Sequence, residues 1–489
     1  MYVMAFALAV ATMFATTVAD AQVDTQAPKE RDQWFTLSLG GARCGWMHEA
    51  TSVDGSVVET LNETSMTLGR AGSTTTMRLS WRFVESSPGV ASVCEVLSDA
   101  GGEPTRTTYR FEKGELAVVQ RTARGESVRR EKLPADDWMT PSQVERFVDD
   151  ARKAGTPSFS YTTLDPSGGM RPVTMGVAKG ESRDGCSTYR SENTTLGLVS
   201  IEVVDANGAL VSSTTALGLG ELVARAATKA EATAAVRGAS FDVIAQSLVA
   251  LKAPQPQLAR GTRAVLRVST PEGAPTLPSA GGQLVATDPE NRALLVTVQT
   301  QTTVPATEAE RDNPAFLAST AMIDASDPAI EELARRARAS VGLASTASPR
   351  EVAMALRSFV ASFIQEKGLA TAFASASAVA ASRAGDCTEH ALLLAALLRA
   401  EKIPARVAGG LVYADEFAGR RHVFAWHMWT QALLDGAWVD LDATLTDRPF
   451  HPGHLLIAVS AQDEPSIDAD FAGMLGTIGA LSIEVVRVD

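Results

Sequence analysis

Two hydrophobic patterns alternate along this chain and predict different secondary structures. In residues 76–83 apolar and polar side chains alternate one by one, which is typical of a strand with one buried and one exposed face. Lys113-Gly114 and Asn207-Gly208 each separate two such runs and predict hairpins. One helix interrupts, from Pro141 to about Ala154. Residues 34–216 therefore predict an antiparallel β domain.

The next stretch, residues 217–310, has a mixed pattern. Gly220 to Ala235 is rich in alanine with helical spacing, and we interpret it as a helical connector. Strand-like runs follow at 264–269 and 294–299, among several prolines. These runs predict a small β segment, and the pattern leaves open whether it is a separate domain or the end of the first one.

Helical signals dominate after residue 311. Asp327-Pro328 and Ser348-Pro349-Arg350-Glu351 each have the residues of a capped helix start, and apolar side chains follow at helical spacing. After Pro404 the pattern returns to strands, at 405–412, 424–434, 438–441, 455–460 and 482–488. We therefore expect residues 311–489 to form an α+β domain of helices packed on an antiparallel sheet.

The chemistry of this last region centres on Cys387. Gly385 ends the preceding segment, Asp386 can cap a helix, and Glu389 three residues later completes an acidic capping box. The helix that follows is apolar on nearly all sides, which is typical of a central helix. A thiol at its first residue lies at the positive end of the helix dipole, which favours the thiolate. Cys387 is therefore the candidate nucleophile.

A cysteine nucleophile needs a base and a group that orients the base. His427 is the candidate base, since it lies within an apolar strand, whereas His390 is on the helix of Cys387 with its side chain poorly directed toward the thiol. The Asp435-Gly436 turn brings a second strand back beside that of His427. Asp440 and Asp442 on this strand both remain open as the orienting carboxylate.

Taken together, these motifs resemble the transglutaminase-like superfamily. The resemblance rests on Gly385-Asp-Cys-Thr-Glu-His-Ala391, His427-Met-Trp429 and Trp438-Val-Asp-Leu-Asp-Ala-Thr444, and it extends over roughly residues 315–489. It implies a papain-like triad of Cys387, His427 and Asp442, the last chosen over Asp440. It also implies attack on a carboxamide of a protein or peptide substrate and a thioester, which an amine or water resolves.

Other interpretations of the same motifs have less support in the sequence. Arylamine acetyltransferases also have a Cys-His-Asp triad, but Asp442-Ala-Thr444 departs from their Asp-Val-Gly motif. The chain has no C-x-x-C pair and no calcium-loop motif, so we expect neither a metal nor another cofactor. Gln365 is a weak candidate for the side chain that helps to bind the oxyanion. The alternative from another functional class is a non-catalytic binding or scaffold protein of the cell envelope.

Composition and the first residues predict the location. The chain has 44 Lys and Arg against 57 Asp and Glu, a net charge of −13, which disfavours a nucleic-acid partner. Residues 1–21 resemble a secretory signal peptide ending in Ala19-Asp-Ala21, and residues 22–33 a linker. No later apolar stretch is long enough to form a stable membrane span. We therefore expect a periplasmic or secreted protein, and the composition does not predict its oligomeric state.

The three remaining cysteines leave two interpretations open. In an oxidising compartment, Cys44, Cys94 and Cys186 could supply one disulfide, with Cys44 to Cys94 as the first guess. Small buried thiols fit the same spacing equally well.

Overall fold

The computed structural model describes residues 30–489 except 71, 100–103, 123–124, 135–136, 195–196, 237–240, 321, 369–373 and 463–478. The predicted signal peptide lies outside the described residues, as does most of the predicted linker. Strand structure already begins at Arg31, within the predicted linker. The chain divides into two compact units, with the boundary between Phe241 and Asp242.

The first unit is a large antiparallel sheet, as the alternating pattern predicts. Its strands are β1 Arg31–Leu39, β2 Ala42–Asp54, β3 Val57–Arg70, β4 Ser73–Ser87, β5 Val90–Asp99, β6 Thr105–Glu112, β7 Glu115–Thr122, β8 Gly125–Lys132, β9 Ser158–Asp165, β10 Arg171–Arg183, β11 Cys186–Asn193, β12 Leu198–Val204, β13 Leu210–Leu217 and β14 Gly220–Ala227. Helix α1, Pro141–Lys153, precedes β9, and helix α2, Lys229–Ala232, follows β14. Across the described residues, the strands lie in the order β8 to β1 and then β14 to β9. The predicted hairpins are β6–β7 and β12–β13.

Alternate side chains of these strands form the buried face of the sheet. Phe35, Leu37 and Leu39 of β1 are completely buried. Cys44 and Cys94 are also completely buried, and all four cysteines of the chain are free thiols. Burial raises the pKa of the Cys44 thiol to about 12, so this thiol stays neutral. The guess of a Cys44–Cys94 disulfide is therefore wrong in this structure.

One predicted helix is a strand. The first part of the alanine-rich segment is β14, which pairs with β1 on one side and β13 on the other. Leu222 and Ala224 of β14 are completely buried, two residues apart, as the period of a strand requires. Alanine favours a helix in isolation, but two rows of ladder hydrogen bonds in the middle of a sheet outweigh that preference.

The second unit contains helices and two smaller sheets. Its helices are α3 Val243–Ser247, α4 Gln257–Arg260, α5 Glu308–Arg311, α6 Pro328–Ser340, α7 Pro349–Phe363, α8 Ala376–Ser382 and α9 Cys387–Ala400. Its strands are β15 Val249–Ala250, β16 Arg263–Ser269, β17 Gln283–Asp288, β18 Ala293–Gln299, β19 Ala405–Phe417, β20 Arg420–Leu434, β21 Ala437–Leu441, β22 His454–Ser460 and β23 Ser482–Val488. In the described part of the chain, none of the helices combines the length and apolar character that crossing a membrane requires.

The two sheets explain why the predicted boundary at residue 311 differs from the division of the structure. One sheet has the order β17-β18-β16-β23, so the strands of 263–299 share a sheet with the last strand of the chain, which pairs with β16. The small β segment therefore belongs to the second unit. This pairing spans about two hundred residues, and no local pattern could have indicated it.

Helix α9 is the centre of the second unit. Every residue from Thr388 to Arg399 is buried, which explains its lack of a polar face. The other sheet has β20 between β15 and β19, with β22 beyond β19, and β21 also pairs with β20. The Thr430 hydroxyl on β20 donates to the Ala391 carbonyl oxygen of α9, 2.9 Å away.

Two local features position β20. Asp435 and Gly436 both have positive φ, 54° and 79°, which is the type I′ turn that joins β20 to β21. Gly410 on β19 lies opposite His427 on β20. A Cβ atom at Gly410 would overlap the Leu455 carbonyl oxygen of β22. The close approach of β19 and β22 therefore requires glycine at position 410.

We expect the Gly410→Ala substitution to lower the free energy of unfolding by about 1–3 kcal/mol, because the added methyl group must push backbone atoms apart. Chemical denaturation would measure it. Gly368→Ala is the matched control, since an added Cβ there meets nothing within 4 Å. Equal effects of the two substitutions would contradict the steric explanation.

Candidate active site

Cys387 begins helix α9, as the sequence predicts. The Asp386 side chain accepts a hydrogen bond from the Thr388 N–H at 2.8 Å, and the Glu389 carboxylate accepts one from the Asp386 N–H at 2.9 Å. The predicted capping box is therefore confirmed. Gly385 has φ of 155°, and a Cβ there would overlap the Glu389 side chain, so glycine is required before the cap.

Glu389 is an unusual capping residue because it is completely buried. Burial, together with the neighbouring Asp386 carboxylate, raises its pKa to about 8. Its other oxygen accepts a hydrogen bond from the Ala374 N–H. Glu389 therefore ties the segment that precedes α8 to the start of α9.

His427 lies between the thiol and a carboxylate. Its Nε2 is 2.6 Å from Asp442 Oδ2, which leaves Nδ1 as the ring nitrogen available to Cys387. Burial opposes a charge on the ring, but the charge and hydrogen bond of Asp442, together with interaction with the Cys387 thiol, raise the pKa of His427 well above 6.5. The structure thus brings Cys387, His427 and Asp442 together.

Asp442 lies immediately after β21 rather than on it, and this position separates it from Asp440. Asp440 remains in the strand, where it accepts hydrogen bonds from Trp429 Nε1 and the Gln431 side chain at 2.8 and 2.7 Å. It therefore fixes the sheet and does not contact His427. Strand parity left both carboxylates open because it assumed that β21 continued through residue 442.

Asp442 is completely buried, and it accepts hydrogen bonds from more than His427. His454 Nε2 lies 3.1 Å from the same oxygen, Oδ2. The Thr444 N–H donates to Oδ1 at 2.8 Å, and the Thr444 hydroxyl donates to Oδ1 as well. Burial disfavours the carboxylate, but His427 and His454 hold the pKa of Asp442 well below 3.8.

Arg357 of helix α7 holds the loop that follows Asp442. This buried guanidinium donates to the carbonyl oxygens of Asp442, Leu445, Thr446 and Arg448. Burial lowers the pKa of Arg357, although the Asp442 charge opposes the shift. The arginine thus fixes the backbone on which the Asp442 carboxylate is mounted.

The other histidines do not take the place of His427. His390 Nδ1 contacts the Asp386 carbonyl oxygen at 2.6 Å, and burial lowers the pKa of its ring. His451 accepts a hydrogen bond from the Gly453 N–H, and burial together with His454 lowers the pKa of His451 to about 2.

Gln365, the candidate for the oxyanion side chain, is exposed, and its backbone N–H donates to the Arg383 carbonyl oxygen.

His427, Asp442 and His454 could in principle hold a metal ion, since one ligand atom of each lies within 4.8 Å of the others. A tetrahedral zinc ion about 2.0 Å from each ligand would keep the ligand atoms about 3.3 Å apart. The His427–Asp442 separation of 2.6 Å is that of a hydrogen bond instead. The cluster as arranged is therefore a hydrogen-bonded network.

Sequence reasoning did not single out Arg357 or assign a partner to His454. A signal for Arg357 exists, because it falls on the buried face of α7 beside Leu356 and Val360. A charged residue in an apolar stripe needs several buried hydrogen-bond partners and therefore indicates a specific structural contact. For His454, at the start of a buried strand, no comparable signal exists.

Comparison with protein families agrees with the motifs. Residues 336–443 match the model of the transglutaminase-like superfamily, a segment that includes Cys387, His427 and Asp442. This segment of the chain is therefore a transglutaminase-like domain, and the predicted resemblance is confirmed. No curated protein sequence matches the chain.

The solved structures that match this chain have low sequence identities and low TM-scores. A candidate cysteine protease from Cytophaga hutchinsonii is 16% identical, with a TM-score of 0.28, and the match covers 47% of this chain and 89% of that one. A beta-barrel-like protein from Brucella abortus, whose domain is of unknown function, is 13% identical, with a TM-score of 0.33 and coverage of 42% and 98%. A candidate protease from Parabacteroides distasonis is 10% identical, with a TM-score of 0.19 and coverage of 72% and 69%.

The opposite pKa shifts of His427 and Asp442 make their pair a pH-dependent source of stability. Because the pKa of His427 is raised, its contribution is complete below 6.5 and is lost as the pH rises through the folded pKa. Because the pKa of Asp442 is lowered, its contribution is complete above 3.8 and is lost as the pH falls through the folded pKa. We therefore expect Asp442→Asn to lower the free energy of unfolding more near pH 5.5 than near pH 9, as urea denaturation would measure.

The control for this substitution is Asp435→Asn, which removes an exposed carboxylate from the turn of the same hairpin. Its effect on the free energy of unfolding should be small at both pH values. An equal loss for Asp442→Asn at the two pH values would show that the His427–Asp442 pair does not carry the charge described here.

Replacing Arg357 by lysine keeps the charge but removes the planar group that reaches several carbonyl oxygens. We expect Arg357→Lys to lower the free energy of unfolding by about 2–4 kcal/mol, since buried carbonyl groups lose their donors. Arg350→Lys, at an exposed position of the same helix, should change it by less than about 0.5 kcal/mol. Chemical denaturation compares the two, and similar values would refute the structural role of Arg357.

Proposed function

We propose that this protein is a cysteine-nucleophile acyl transferase or hydrolase that acts on protein or peptide amides. One observation carries the proposal: His427 is hydrogen-bonded to Asp442 through one ring nitrogen and interacts with the Cys387 thiol. A scaffold protein has no need to bury a carboxylate so that it orients a histidine beside a thiol.

In the proposed reaction the Cys387 sulfur attacks the carbonyl carbon of an amide. The carbon–nitrogen bond breaks, and His427 gives its proton to the departing ammonia or amine. The products of this half-reaction are the amine or ammonia, a thioester and a neutral imidazole. The imidazole then takes a proton from the incoming nucleophile, which attacks the thioester carbonyl carbon and breaks the carbon–sulfur bond, so that Cys387 leaves as a thiolate. A lysine amine gives an isopeptide bond, and water gives deamidation or peptide hydrolysis.

The oxyanion needs donors that lie at the start of α9. Backbone N–H groups in the first turn of a helix have no partner within the helix, so they favour a negative charge nearby. Gln365 is the side chain we propose for the second donor, because the bridge between Glu366 and Ala384 keeps its segment beside the chain that leads to Cys387.

The proposal includes a papain-like arrangement, with the nucleophile at the start of a central helix and the base on the adjacent sheet. It also includes a periplasmic or secreted location, on the basis of residues 1–21. Proteins of the cell envelope are then the substrates to examine first.

The test combines a thiol probe with three amide assays. In the wild type, we expect a chloroacetamide probe to modify Cys387 selectively, and we expect labelled-amine incorporation, deamidation or hydrolysis of an envelope-protein extract, read by mass spectrometry. Cys387→Ala should lower the active reaction by at least about 10³-fold. His427→Ala should lower it similarly and should slow labelling by the probe.

Cys186→Ala is the matched control, because Cys186 is also a partly exposed free thiol but lies in the first unit. It should retain the activity of the wild type. If the wild type shows none of the three reactions and the probe does not prefer Cys387 over Cys186, the protein is not this enzyme. A binding protein with a transglutaminase-like domain would then be the remaining interpretation.

A further inference from the structure

The first unit contains a cavity that the proposed function does not use. Its volume is about 280 Å³, and strands β1, β2, β3 and β12 and helix α1 are among the elements that line it. This volume is at the lower end of the range of small-molecule sites. The proposed reaction uses no residue of the unit that holds the cavity, so the groups that face the cavity are the guide to its ligand.

The lining has more acidic than basic side chains. Glu49, Glu145 and Glu202 line the cavity together with Arg31 and Arg152. Glu49 and Glu202 are 8% and 3% exposed. Carboxylates buried this deeply are costly unless each one finds a cation or several donors.

The partners of the three glutamates differ. Glu202 accepts from Arg152 at 2.7 Å and from the Ser191 hydroxyl at 2.8 Å. Glu145 lies 4.0 Å from Arg31. Glu49 has the Asn62 amide as its hydrogen-bond donor, 3.2 Å away, and no ion pair within 4.0 Å among the described residues. Glu49 is therefore the least compensated of the three carboxylates.

Asn62 provides a second, independent indication of a ligand. It is 3% exposed and lines the cavity. Its Nδ2 is used by Glu49, whereas its Oδ1 is buried with no hydrogen-bond partner in the described structure. A buried amide oxygen without a donor costs free energy that a bound donor would recover. Glu49 and Asn62 Oδ1 are thus two acceptors side by side.

We propose that this cavity binds an organic cation of amino-acid size, whose ammonium or guanidinium group donates hydrogen bonds to Glu49 and to Asn62 Oδ1. Such a ligand gives Glu49 a positively charged partner within hydrogen-bond distance and gives Asn62 Oδ1 a donor. Neutral apolar molecules of the same size would leave both groups unsatisfied.

The ionisation of Glu49 agrees with this assignment. Burial raises its pKa to about 7, with Arg31 opposing and Glu202 and Glu145 adding to the shift. The groups that face Glu49 are Arg31 of β1, Asn62 of β3, Glu145 of α1 and Glu202 of β12. As the pH falls through about 7, Glu49 gains a proton and loses the charge that attracts the cation. The affinity for a cation should therefore rise as the pH rises through this value.

Isothermal titration calorimetry of the full chain with three probes tests the proposal. The probes are N-acetyl-lysine methylamide, pentylamine and N-acetyl-norleucine methylamide, which is the uncharged analogue of the first. We expect both ammonium probes to bind and the norleucine probe to bind at least about 10-fold more weakly. Tighter binding of the lysine probe would identify a peptide or amino acid as the source of the cation, and tighter binding of pentylamine a free amine.

Glu49→Gln should weaken binding of the ammonium probes by at least about 10-fold, because a hydrogen bond to a charged group is lost. Glu95→Gln is the matched control, since it removes a half-exposed carboxylate of β5. This variant should bind the ammonium probes with the affinity of the wild type. If Glu49→Gln does not fold, titration of the wild type near pH 8 and pH 5.5 replaces it, with weaker binding expected at the lower pH. The proposal would be overturned if the ammonium probes did not bind or if the norleucine probe bound equally well. It would also be overturned if neither Glu49→Gln nor the lower pH weakened binding of the ammonium probes.

Discussion

The candidate site depends on one buried carboxylate. Asp442 has no exposure to water, so its charge persists only because donors surround it: His427 and His454 at one oxygen and Thr444 at the other. A carboxylate satisfied in this way has little freedom to rotate, and it holds His427 in one orientation and favours its charged form. The imidazole is therefore directed toward Cys387 because hydrogen bonds from protein groups fix the Asp442 carboxylate that orients it.

Several parts of the second unit serve to keep that carboxylate in place. The type I′ turn at Asp435 and Gly436 sets the register of β21 against β20. Arg357 then holds the loop after Asp442 by its carbonyl oxygens. The helix of Cys387 packs on the same sheet through Thr430. The thiol, the imidazole and the carboxylate thus come from separate elements whose positions are each fixed by buried polar contacts.

The first unit shows a different use of buried charge. Its glutamates are not organised around a nucleophile, and Glu49 is left with a single amide donor. Buried polar groups without full compensation destabilise a fold, and a bound ligand that supplies the missing partner would offset this cost. The two units therefore present two separate chemical problems, a nucleophile that must be activated and a cavity in which one buried carboxylate has no ion pair.

The sequence alone determined what depends on local pattern. The strands with period two, the capped helices at Pro328, Pro349 and Cys387, and the motifs of the transglutaminase-like domain could all be predicted, because caps, turns and periodicity act within a few residues. Tertiary structure decided the rest. The segment at 220–227 became a strand because two neighbours pair with it, and β23 joined β16 across the chain. His454 reached Asp442 and Arg357 reached the loop at 442–448 because of packing between elements far apart in sequence, where spacing carries no information.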